Sequence, residues 1–159
     1  MDADRVFEKQ HEITIKDFVK SFGWEEFRKY ETGVLCGLFR NYHDKDIILA
    51  PGGGAVAHNQ GENYRAENVN LLRSLGQLVY ILPTESLEES ARILVERMNN
   101  DVKSANQRPS LTQTNSQYCE MLNVLRERDE LYREAAHHTF YTRDMTSAQA
   151  AWCINDLVK

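Results

Sequence analysis

Asp46-Ile47-Ile48-Leu49-Ala50-Pro51-Gly52-Gly53-Gly54 is the stretch on which the reading of the fold turns. Asp46 opens a short, β-branched apolar run that stops at Pro51 and three consecutive glycines. A run so short and uninterrupted reads as a strand buried on both faces, as in a parallel sheet. Glycines at the carboxyl end of such a strand let backbone N–H groups approach a ligand closely, and ligands of open α/β sheets bind at that edge. Taken alone, the triple glycine is explained more simply by a tight strand-to-loop turn.

On the N-terminal side, Thr14 is placed to cap a helix with Ile15, Phe18, Val19 and Phe22 on one face. Gly23 interrupts it, and a second helical run carries Phe27, Val34, Leu35 and Leu38. On the C-terminal side, Leu78-Val79-Tyr80-Ile81-Leu82 repeats the buried-strand pattern and ends at Pro83. Ser86 and Glu89 form a capping box for a helix with Leu87, Ala91, Leu94, Val95 and Met98 on one side. Residues 99–116 are polar and turn-rich. A long helix then runs through Ala136, followed by a strand at His138–Thr142 and an amphipathic helix with Ala150, Ile154, Leu157 and Val158. Strands alternating with helices predict an α/β protein with a parallel sheet covered on both sides.

The 159 residues suffice for one domain with a hydrophobic core, and no repeat, linker or low-complexity tract divides them. With 19 basic against 24 acidic residues, net charge is −5, which argues against nucleic acid as a partner. No apolar stretch has bilayer length, and the charged first residues do not read as a signal peptide. Cys36, Cys119 and Cys153, odd in number and far apart, are expected to be reduced, mostly buried thiols of a cytosolic protein. His137-His138 lack a third ligand at zinc spacing, and Trp24 and Trp152 are expected in the core.

Four further features carry chemistry only weakly by themselves. Arg28 with Glu31 one turn on offers a planar fork held by an acid, yet such pairs are common on helix surfaces. Arg128 shares a helical stripe with Met121, Leu125 and Tyr132, which aims it at a cleft, either snorkelling to the rim or holding an anion. Arg108-Pro109 lies in the polar loop, where an arginine either is solvated or closes over a phosphate. Asp2-x-Asp4 is spaced for a metal or a hydroxylated ligand, or is a frayed acidic end.

Taken in order, Asp2-x-Asp4, Phe27-Arg28-x-x-Glu31, Gly52-Gly53-Gly54, Arg108-Pro109 and Arg128-x-x-Leu131-Tyr132 resemble the shikimate kinase family over essentially the whole chain, from the family's second strand to its end. The lid segment Arg108-Pro109-Ser110-Leu111-Thr112 is closest to the Thr-rich type. The resemblance implies a P-loop kinase-like three-layer α/β/α sandwich with a parallel sheet. It implies one domain over residues 1–159 with a lid at roughly 101–116. The implied function is that of a cytoplasmic transferase of aromatic amino acid biosynthesis, moving the γ-phosphoryl of ATP to the 3-hydroxyl of shikimate with Mg2+. Neither nucleic acid nor membrane is an implied partner.

By matching motif, Asp4 would hold the substrate's hydroxyls and orient the attacking one, and Asp2 would sit near the magnesium. Arg28 and Arg128 would pair with the shikimate carboxylate, a bidentate task suited to arginine. Gly52, Gly53 and Gly54 would line the same pocket, with Phe18 and Phe27 as its apolar wall. Arg108 would neutralise charge on the transferring phosphoryl. Arg97 would stack on adenine. Converging arginines in a chain of net charge −5 fit an anionic ligand.

The family opens with a strand, a phosphate-cradling loop and a helix, whereas no Gly-x-x-x-x-Gly-Lys-[Ser/Thr] occurs in these 159 residues. The expectation is that this βα unit is encoded in frame upstream of Met1. The strands at 47–50 and 78–82 would then lack the neighbour that separates and pairs them. Efficient phosphoryl transfer is not expected without that loop. The alternative function is a non-catalytic module that binds shikimate or quinate and reports on it; Arg108 and the Asp2-x-Asp4 pair favour the enzyme.

Overall fold

In the structure, a computed structural model that describes residues 1–42, 44–58, 62–100 and 116–159, Asp2 starts the first helix. The chain divides into two compact units, Met1–Gly76 and Gln77–Lys159.

In the first unit, the Asp2 side chain accepts the Arg5 N–H and caps α1 (Ala3–His11). Ala3 and Phe7, four residues apart and so on one face, are buried. The segment read as a frayed acidic end or ligand pair is thus an ordered cap. Thr14 caps α2 (Ile15–Tyr42) as expected, its Oγ1 accepting the Asp17 N–H at 3.1 Å. Gly23, at φ 85°, breaks α2 into two helical runs, also as expected. Phe22, assigned to the apolar face, is 60% exposed, although its ring leans on Phe18. The second run buries Phe27, Val34, Leu35 and Leu38.

The stretch at 47–50 is not a strand of a sheet. It makes one isolated parallel bridge, Asp2 to Ala50, with the Ala3 N–H bonded to the Ala50 carbonyl at 2.9 Å. Ile48 is 89% exposed, so the expectation of burial on both faces fails. The physical reason is pairing: among the described residues only Met1–Ala3 run beside this segment. After the glycines comes α3 (Glu62–Leu75), to which the sequence reading assigned no element.

The second unit contains the sheet. β1 (Val79–Leu82) and β2 (His138–Tyr141) pair in parallel, Val79 opposite His138 and Leu82 opposite Tyr141. Both expected strands are present, but Ile81 is half exposed, against the expectation of burial on both faces. Two helices connect β1 to β2: α4 (Leu87–Asn100), capped where Ser86 Oγ accepts the Glu89 N–H at 3.2 Å, and α5 (Gln117–Ala135). Leu82, Ala91, Leu122 and Leu125 form the core they enclose. His137 has a structural task, its Nδ1 accepting the Leu78 N–H at 3.0 Å where the two strands begin. A Thr146–Gln149 capping box starts α6 (Ser147–Leu157), which buries Ala150. Trp152 is 71% exposed and is not a core residue. Nor are the thiols mostly buried: Cys119 is exposed, and Cys36 and Cys153 are half-buried.

Tyr80 packs its ring 4.9 Å from that of Tyr132, and burial, with Asp129 adding to it, raises its hydroxyl above the ordinary value of 10.0. The neutral form is favoured in the folded state, so this stability is complete below pH 10 and is lost as pH climbs through the raised folded value. Melting temperature should therefore fall more steeply above pH 10 in the wild type than in Tyr80→Phe. Parallel alkaline limbs would show that Tyr80 titrates as it does in the unfolded chain.

Candidate functional site

Helical spacing places Phe27, Arg28 and Glu31 together on the buried side of α2, where Arg28 is 4% and Glu31 5% exposed. Arg28 Nη1 donates to both Glu31 oxygens, at 2.7 and 2.8 Å. The guanidinium also lies 5.0 Å from the Phe27 ring centroid and 5.2 Å from that of Trp24. One charge, one counter-charge and two aromatic faces hold a planar donor in a fixed orientation. A surface pair of the same spacing would be loose and screened; this one is neither.

The glycine turn comes up against that guanidinium. A Cβ on Gly54 would stand 2.7 Å from Arg28 Cζ, so only glycine admits this approach. A Cβ on Gly52, which has φ 87°, would stand 2.9 Å from Asp4 Oδ1. The turn is closed by the Ala55 N–H to the Gly52 carbonyl and the Ala57 N–H to the Gly54 carbonyl. Asp4, in the first turn of α1, is exposed. Asp4, Arg28 and the glycine turn, far apart in sequence, are thus neighbours within the first unit. Behind them Phe7 joins Phe18 and Phe27 edge-on, with centroids 5.1 and 5.0 Å away. Phe18 and Phe27 are both buried.

Sequence reasoning missed Trp24, left as a core residue, and Phe7. The spacing of Trp24 four residues before Arg28 was the available signal for the first, and Ala3 with Phe7 after a capping aspartate for the second.

In the second unit, Arg128 is half-buried on α5 along with Met121 and Tyr132, while Arg126 and Glu130 are exposed, which is the stripe the spacing predicted. Arg97, in the last turn of α4, is exposed and donates to the Arg143 carbonyl at 3.5 Å. Arg108 and residues 101–115 of the expected lid lie outside the described residues. Asp2, expected near a magnesium, uses Oδ1 for the Arg5 N–H and keeps Oδ2 3.6 Å from Arg5 Nε. Among the described residues no group of three or more His, Cys, Asp or Glu is placed to hold a metal by itself. No helix among them is long and apolar enough to cross a membrane.

Asp4, Arg28 and the glycine turn of the first unit, and the parallel strand pair flanked by helices in the second, are those of an α/β protein. The shikimate kinase of Acinetobacter baumannii, solved in complex with shikimate, matches 98% of this chain and 74% of its own, with a TM-score of 0.72 and 30% identity. The shikimate kinase of Aquifex aeolicus shares the fold, at TM-score 0.62 and 24% identity over 98% of this chain and 79% of its own. In sequence, shikimate kinase 2 of Yersinia pseudotuberculosis is 33% identical over 138 residues, 87% of this chain and 68% of that protein. The shikimate kinase of Oleidesulfovibrio alaskensis is 34% identical over 140 residues, 86% and 69% of the two chains. The family profile described as shikimate kinase matches residues 1–158. The chain belongs to the shikimate kinase family.

Proposed function

We propose that this protein serves transfer of the γ-phosphoryl of ATP to the 3-hydroxyl of shikimate, a step of aromatic amino acid biosynthesis in the cytoplasm. The observation that carries the reading is the buried Arg28–Glu31 pair with Gly54 set against its guanidinium. A fork fixed in this way is suited to the planar carboxylate of shikimate. Arg128, in the second unit, is assigned to carboxylate binding by its place in Arg128-x-x-Leu131-Tyr132 alone. Asp4, beside Gly52, is assigned to the ring hydroxyls and to orienting the attacking one. Phe18 and Phe27 back the apolar side of the ring.

The residues also suit the cofactors. Magnesium that is held mainly through nucleotide phosphates needs only one or two carboxylates. Asp2 supplies one exposed carboxylate at the start of α1. The exposed guanidinium of Arg97 offers a flat face for adenine. When bound, ATP and Mg2+ supply the phosphoryl group and neutralise its developing charge. Arg108 is assigned to that charge by motif.

The test is a phosphorylation assay on the full chain with shikimate, ATP and Mg2+. Shikimate 3-phosphate formed by the wild type and lost in Arg108→Ala would establish an enzyme and overturn the expectation that efficient transfer needs the phosphate-cradling loop. Shikimate uptake with no phosphate transferred would point either to a kinase that needs the phosphate-cradling loop or to the binding module. Neither binding nor transfer would refute both readings.

A further inference from the structure

Asn68 is fully buried on α3, yet its side chain is polar. Its Nδ2 donates to the Ala55 carbonyl at 3.0 Å, and its Oδ1 has no hydrogen-bond partner among the described residues. A buried acceptor left alone is costly, so an amide here is accounted for by its donor. One helical turn earlier, Arg65 Nη1 donates to the His58 carbonyl, also at 3.0 Å. Side chains three apart on α3 thus bind carbonyls three apart on the turn. The carbonyls of Gly52 and Gly54 are taken up inside the turn itself by the Ala55 and Ala57 N–H groups. Between them these bonds occupy four carbonyls of the turn, those of Gly52, Gly54, Ala55 and His58, and set its shape where Gly54 meets Arg28 and Gly52 meets Asp4.

We infer that Asn68, with Arg65 as an outer clasp, is a positioning residue that holds the Gly52–His58 turn in the shape that admits a carboxylate-bearing polyol such as shikimate. It rests on the proposed substrate but not on the transfer chemistry. Asn68 acts through the turn and is not itself placed against the ligand.

Amide hydrogen exchange on the unliganded full chain, with shikimate calorimetry on the same samples, tests this in Asn68→Ala. The Ala55 and Ala57 amides should exchange about tenfold faster or more, while amides of α1 and α2 stay unchanged. Shikimate affinity should weaken about tenfold at unchanged stoichiometry. A merely structural lesion would instead lower the stoichiometry through an unfolded fraction. Unchanged exchange at Ala55 and Ala57 overturns the positioning role, whatever shikimate does. Faster exchange with undiminished affinity also overturns it, because the turn's shape then does not matter to the ligand. If the wild type takes up no shikimate while Asn68→Ala still loosens the turn, the clamp is upheld and the proposed substrate is refuted. Should Asn68→Ala not fold, Arg65→Met removes only the half-buried outer clasp and gives the same readings at Ala57.

Discussion

Arg28→Ala is expected to destabilise the protein by about 3–5 kcal/mol and to remove shikimate binding. Both side chains of the pair are almost wholly buried, 5% exposed for Arg28 and 6% for Glu31. Truncating the arginine leaves the Glu31 carboxylate in low dielectric without its counter-charge, and that desolvation dominates the loss. The Thr32 hydroxyl, bonded to the Arg28 carbonyl at 3.0 Å, is unaffected by the truncation. Arg28→Met combined with Glu31→Gln removes both charges at similar volume and should recover most of the stability, as replaced buried ion pairs commonly do. It should recover none of the binding. Denaturant unfolding of the three proteins separates the two effects: a double variant as unstable as Arg28→Ala would mean that packing, not the loss of the counter-charge to Glu31, sets the loss.

Gly54→Ala should be the most damaging single methyl in the first unit. Its φ is not in the left-handed region, so backbone strain is not the cause. The cause is contact, because the new Cβ falls on the Arg28 guanidinium. That guanidinium is no flexible end free to swing away, since Glu31 and two rings hold it. Either the turn or the ion pair must move, at a cost of about 1–3 kcal/mol for an overpacked site. Shikimate affinity should fall at least about tenfold, equivalent to about 1.4 kcal/mol. Gly37→Ala, in α2 with nothing within 4 Å of its added Cβ, is the matched control. It should stabilise by up to about 1 kcal/mol through helix propensity alone. If Gly54→Ala behaves like Gly37→Ala in denaturation and calorimetry, the close approach of turn and arginine is not part of the folded protein.

Local rules were sufficient where one residue decides a local geometry. Thr14, Gly23 and Ser86 start or break helices through their own hydrogen bonds or dihedral freedom, and the structure shows each of them at its expected place. The strands at Val79–Leu82 and His138–Tyr141 were legible as short apolar runs, and their parallel pairing follows from the helices between them. Burial was less legible. Ile48 and Ile81 look like doubly buried strand residues, but whether a face is covered depends on what pairs beside it, which a run's own pattern does not encode. Trp152 fails for the same reason, as its burial depends on a partner surface and not on its own apolarity.

The site followed the same division. Arg28 with Glu31 was legible as a pair by i,i+3 spacing, but its burial, which turns a common surface contact into a held fork, was not. That the triple glycine faces Arg28 and Asp4 is a long-range contact and came only with the fold. The role of Asn68 was invisible, since an asparagine on an unassigned helix carries no signal until the Ala55 carbonyl is beside it.

The central claim is that the first unit holds a fork for a carboxylate, and the most direct measurement is calorimetric titration of shikimate into the full chain and into the Arg28→Met, Glu31→Gln double variant. The account predicts saturable one-to-one binding by the wild type and none by the folded double variant. A wild type that does not bind, or a double variant that binds as tightly, would contradict it.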